Sequence, residues 1–117
     1  MEEVVQFDFD WSRVRYRIKE LMQIEKLPDL NAILIFIGIQ ELGQWKTTKF
    51  KKEEKQDLMH IAVCTLLSKD GYYEWEGLDT EGWPHYKMLK NFKDKGVDKQ
   101  EQYLKEKIIQ YFNDQSF

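Results

Sequence analysis

Two groups of side chains in this 117-residue sequence have the types and spacing to do chemistry. The first is Glu53, Asp57, His60 and Cys64. On a helix they project within a narrow sector, with Asp57 three residues before His60 and His60 four before Cys64. Side chains at those spacings can converge on one metal ion. A di-metal carboxylate bundle, however, needs two Glu-x-x-His units and further carboxylates. This chain has two histidines and no Glu-x-x-His. The same residues could instead form a Cys–His nucleophilic pair, since a thiol is activated by a nearby base. Cys64 lies late in its helix, where the dipole disfavours a thiolate, and no third group orients His60. A solvated polar face with a small cysteine at its margin is the plainer reading, so neither a metal nor a cofactor is expected.

The second group is the run from Tyr72 to Tyr86. It sets Tyr72, Tyr73, Trp75, Trp83, His85 and Tyr86 among Glu74, Glu76, Asp79 and Glu81. Rings interleaved with carboxylates can stack on a ligand and bond its polar groups. A desolvated carboxylate could do acid–base work. The bland alternative is that the rings anchor a long connection while the acids stay in water, because Trp and Tyr bury area and keep a polar tip bonded. His85 favours that alternative: on a helical wheel it falls beside Met88, Leu89 and Phe92.

The elements that must position these groups follow from periodicity. Leu30–Leu42, LNAILIFIGIQEL, is uncharged as far as Gln40 and apolar on opposite faces: Leu30, Ile33, Leu34, Ile37 against Ala32, Ile35, Ile39, Leu42. An all-round apolar helix is a core helix or a membrane span, and this one is too short to span. Asp29 caps its start and Gly43 its end. Gly38 allows a close backbone approach. The second apolar face is either covered within the chain or serves self-association.

Residues 4–9 alternate at Val5, Phe7 and Phe9, the period of a strand, and residues 1–10 read as an extended arm. Asp10 caps a first helix to about Lys26, with Trp11, Val14, Ile18, Leu21 and Met22 as its stripe. Thr47 or Thr48 caps a third helix, from about Lys49 to Lys69, buried through Leu58, Ile61, Ala62, Thr65 and Leu66. Residues 71–84 have no sustained period and read as an aromatic and acidic loop, although Tyr73, Trp75 and Gly77 alternate with Glu74 and Glu76 as a short strand or hairpin would. Pro84 opens a fourth helix to about Asp94, closed by Gly96. Asp98 and Glu101 have capping-box spacing for a fifth, to about Phe112. The expected fold is therefore all-α: a single domain over residues 1–117, with about five helices, an N-terminal arm and one long loop.

Composition narrows the function classes. Hydrophobic residues are 42% and charged residues 33%, which suits a folded soluble domain. The net charge of −3 argues against nucleic acid. Arg13, Arg15, Arg17 and Lys19 spread around their helix, and Glu53 and Glu54 interrupt Lys46, Lys49, Lys51, Lys52 and Lys55. The lone cysteine needs no oxidising compartment, and the start of the sequence does not read as a signal peptide, so the expectation is a cytoplasmic protein with no membrane partner. No phosphate loop, serine elbow or zinc-finger spacing is present.

The reading that results is a small helical domain that works by protein–protein interaction. Its binding residues would be Tyr72, Tyr73, Trp75, Glu76, Asp79, Trp83, His85 and Tyr86, with Trp75 and Trp83 as anchors because Trp and Tyr dominate interface energies. Self-association is the other form of partner. The competing reading is a small-ligand pocket or enzyme lined by the same rings, with Glu74, Glu76, Asp79 or His85 supplying polar groups.

Overall fold

The computed structural model describes residues 2–43, 50–92 and 96–115. Among them the chain forms α1 (Glu2–Met22), α2 (Leu30–Leu42), α3 (Lys52–Ser68), β1 (Tyr73–Leu78), β2 (Pro84–Met88) and α4 (Val97–Gln115). Helix dominates, but the described residues carry four helices and a two-stranded antiparallel sheet rather than a five-helix all-α bundle.

The uncharged run is the centre. Ile33, Leu34, Phe36, Ile37, Gly38, Ile39 and Leu42 of α2 are all buried. The Asp29 carboxylate accepts from the Ala32 N–H at 2.8 Å, and Gly43 takes the left-handed conformation at φ 73°. Val14 and Ile18 of α1, Ala62 and Leu66 of α3, and Ile108, Tyr111 and Phe112 of α4 close over Ile33, Leu34, Phe36 and Ile37. The second face is covered within the chain where Ile39 and Leu42 meet Leu58, with Phe50 and Trp83 packed alongside. Ile35 and Ala32 remain half-buried. At Gly38 the α2 backbone touches the α3 backbone: a Cβ there would lie 2.2 Å from the Leu58 carbonyl oxygen.

The extended arm is corrected to helix. α1 begins at Glu2 and runs through Asp10, which is an interior residue and not a cap; its Oδ1 accepts from Gln6 Nε2 at 2.9 Å. No glycine or proline interrupts residues 2–22, so the helix started by the Trp11–Met22 stripe propagates backward. The alternation of Val5, Phe7 and Phe9 also satisfies a helix, with Phe7 half-buried and the other two outside. α1 stops at Met22, short of Lys26, because Gln23 turns left-handed at φ 55°.

The loop and the fourth helix are corrected to a hairpin. β1 pairs with β2 through Tyr73–Met88, Glu74–Lys87, Trp75–Tyr86, Gly77–His85 and Leu78–Pro84. One extra residue, Glu76, stands at the irregularity between Trp75 and Gly77, and Gly77 relieves it at φ 114°. Pro84 fits the first position of a strand as well as the first turn of a helix, since neither requires its missing N–H. The pleat then puts His85 and Met88 on opposite faces of β2; Met88 and Leu89, just past the strand, are exposed, while Phe92 is buried.

Thr47 and Thr48 lie outside the described residues. α3 begins at Lys52, where the Glu54 carboxylate accepts from the Lys51 N–H at 2.9 Å. α4 begins at Val97, which puts Asp98 inside the first turn instead of at the cap.

Candidate binding cleft

The hairpin packs against α3. This placement corrects the wet seam on that helix. Cys64 is fully buried, and burial raises its thiol to about 12. His60 remains at the surface, with Nε2 3.5 Å from the Cys64 sulfur and its ring edge-on to Tyr73. A thiol held protonated in this way is no nucleophile near neutral pH. Among the described residues, no three His, Cys, Asp or Glu side chains converge to hold a metal ion.

Where the hairpin turn meets the start of α3, a cleft of about 410 Å³ opens. Glu54, Asp57, His60 and Ile61 line it from α3; Asp79, Glu81, Trp83, Pro84, His85 and Tyr86 line it from the hairpin. Four of these ten are carboxylates, two are histidines, and none is lysine or arginine.

Asp79 builds the turn. Its Oδ1 accepts from the N–H groups of Glu81 and Trp83, both at 2.9 Å, and its own N–H donates to the Trp83 carbonyl at 2.9 Å. Its Oδ2 accepts from His85 Nε2 at 3.0 Å. A carboxylate only accepts, so this bond places the His85 proton on Nε2 and leaves Nδ1 as the acceptor of the neutral ring. The His85 bond first, and the Trp83 N–H second, hold the Asp79 carboxyl below the ordinary value. His85 is otherwise exposed.

Two rings form the firm wall. Trp83 is half-buried against the cluster of Ile39, Leu42 and Leu58, so only part of it faces outward. The Tyr86 hydroxyl lies 3.0 Å from Thr65 Oγ1, and burial raises its ionisation above the usual range.

Of the sequence candidates, Asp79, Trp83, His85 and Tyr86 come together here. The others are placed elsewhere. Tyr72 packs edge-on to Phe92 and Tyr103 and carries Lys90 Nζ over its ring at 4.7 Å, which ties the hairpin to α4. Tyr73 packs against His60. Trp75 is 53% exposed, edge-on to Tyr86, and Glu76 stands out at the bulge.

Glu54, Asp57, His60 and Glu81 join the cleft, although their places in the sequence do not assign them to one site. Asp57 and His60 were visible as a pair on α3, and Glu54 stands one turn before Asp57. What linked them to Asp79 and His85 was the hairpin, which a helical reading of Pro84 conceals. No helix among the described residues is long and apolar enough to cross a membrane. No protein-family model matches the sequence, and no match is found among curated proteins or solved structures.

Proposed function

We propose that this chain is a binding protein whose α3–hairpin cleft receives a basic segment of a partner protein. One observation carries the reading: four carboxylates and the rings of Trp83 and Tyr86 share a cleft that, among the described residues, no lysine or arginine lines. A lysine or arginine entering it would meet negative charge at the rim and a ring on which to lay its stem, as in cation–π recognition. The half-burial of Trp83 fixes that ring in advance, which lowers the ordering cost of binding. The exposed ring of Trp75, one strand away, would extend the contact along the hairpin. A cytoplasmic setting accompanies this proposal, since the one cysteine needs no oxidising compartment.

The cleft volume favours a second reading, a small cationic ligand, because it lies within the few-hundred-Å³ range of ligand pockets. The Asp79–His85 pair has the geometry of an oriented base. Among the described residues that line the cleft, none is a serine, threonine or cysteine for that base to activate.

Calorimetric titration separates these readings. Hexalysine is expected to bind saturably and hexaglutamate not at all. Asp57→Asn combined with Glu81→Gln should weaken hexalysine binding about two- to thirtyfold, given ~0.2–1 kcal/mol for each exposed charge pair. Spermidine binding as tightly as hexalysine would favour the small ligand. Hexalysine binding that ignores the double substitution, or does not saturate, removes the cleft from the account.

A further inference from the structure

α1 carries two apolar stripes, and the fold uses one. Trp11, Val14, Ile18 and Met22 face the core. Val5, Phe9, Ser12 and Tyr16 recur at intervals of four, three and four, the spacing of a coiled-coil seam, and at 3.6 residues per turn they occupy the opposite side of the helix. Val5 is 68% exposed, Phe9 61% and Tyr16 59%, and no element of the described chain covers them. Charge is divided along the same helix. Residues 2–10 hold Glu2, Glu3, Asp8 and Asp10 and no base; residues 11–20 hold Arg13, Arg15, Arg17 and Lys19 against Glu20.

We infer that this stripe is the interface for a second copy of the chain, with the two α1 helices antiparallel. Charge complementarity selects that occupant and direction. Antiparallel pairing sets the acidic half of each helix beside the basic half of the other, and a parallel pair sets like beside like. The register with Val5 opposite Tyr16 of the copy also puts Phe9 opposite Ser12, so a large ring meets a small residue at each central layer. In that register Asp8 flanks the seam on the same side as Arg15 of the copy, and Gln6 on the other side faces Arg13. Asp8 makes no ion pair among the described residues, so its charge is available. A parallel pair would stack Ser12 on Ser12 and leave the middle of the seam poorly filled. The surface lies outside the cleft proposed above and does not depend on it.

Sedimentation velocity on the full chain, over a micromolar dilution series, tests the inference. A monomer–dimer equilibrium is expected, and Phe9→Glu should raise its dissociation constant by at least about tenfold. Phe9 is outside the core, so the helical circular dichroism of that variant should match the parent, and so should its melting temperature at concentrations below the parent's dissociation constant. Trp75→Glu, at the other exposed aromatic surface, should leave the dimer unchanged. For direction, Val5→Cys alone should not form a disulfide-linked dimer, because the two copies of residue 5 lie about 16 Å apart along the axis (11 × 1.5 Å). Val5→Cys with Tyr16→Cys should form one. A monomer at every concentration, or a dimer indifferent to Phe9→Glu, overturns the interface. Ready cross-linking of the single cysteine variant overturns the antiparallel arrangement.

Discussion

Gly38→Ala is the smallest change that tests how α2 and α3 are joined. The added methyl would stand 2.2 Å from the Leu58 carbonyl oxygen, 2.7 Å from its carbon and 2.9 Å from the Leu58 Cα. Ordinary contact begins near 3.4 Å, so the two backbones must separate by about 1.2 Å along that direction. All three atoms are main chain, and no rotamer change relieves the overlap. Overpacking a close contact costs roughly 1–3 kcal/mol, and a backbone-to-backbone clash belongs at the top of that range. Alanine returns about 1 kcal/mol through its better helix propensity. The net is about 2 kcal/mol of destabilisation, or a fall in Tm of roughly 6–12 °C for a chain of this size. Thermal melting followed at 222 nm, with urea unfolding beside it, reads the effect. Gly43→Ala supplies the comparison: it holds φ 73° with nothing within 4 Å, so it costs only the left-handed conformation, about 1 kcal/mol. If Gly38→Ala melts at or above the parent temperature, the close approach of α2 and α3 is wrong, and so is the hairpin position built on α3.

Two further outcomes follow from the site. Cys64 should resist thiol reagents at pH 8 in the native protein and react about a thousandfold faster in denaturant, because a rise from 9.0 to about 12 removes three decades of thiolate; equal rates would place Cys64 at the surface. Stability should also depend on pH at both ends. Asp79 has a depressed folded value, so its contribution is present above about 3.8 and is lost as pH falls through the lower folded value. The protection of the Trp83 and Glu81 amides, relative to their intrinsic exchange rates, should therefore fall on acidification, and Asp79→Asn, which keeps an oxygen for both amides, should lower it less than Asp79→Ala. Tyr73, Tyr86 and Tyr111 have raised folded values, chiefly from burial, so their contribution is complete below pH 10 and declines above it. A tyrosine absorbance titration in one step centred near pH 10, with the fold intact, would refute that burial.

The legible parts of the fold were those where one period dominates. α2 was readable to its caps because apolar residues on both faces leave no other solution, and because Asp29 and Gly43 each have one conformational use there. Trp11, Val14, Ile18 and Met22 were readable as a stripe for the same reason. The arm was misread because alternation over six residues is shared by a strand and by a two-sided helix. Only the missing strand partner separates those options. The alternation of Tyr73, Trp75 and Gly77 leaves a first strand open, but the second is hidden by Pro84, whose ring suits the first residue of either element, and by His85, Met88, Leu89 and Phe92, whose helical spacing is accidental. The stronger signal was Tyr73, Trp75 and Tyr86, residue types that favour a pleated surface, on both sides of the Asp79–Trp83 segment.

Asp79 shows why the site was only half visible. In the sequence it is a carboxylate among aromatic rings, which invites an acid–base role. In the fold both of its oxygens are committed, one to the amides of Glu81 and Trp83 and the other to His85. It is therefore the residue that makes the turn, and through the turn it brings Glu81, Trp83 and His85 to the start of α3. The cleft exists because a turn residue and a helix N-terminus, each acidic for its own structural reason, face one another. Charge placed for folding then becomes charge available for binding, and the hexalysine titration asks whether the chain uses it.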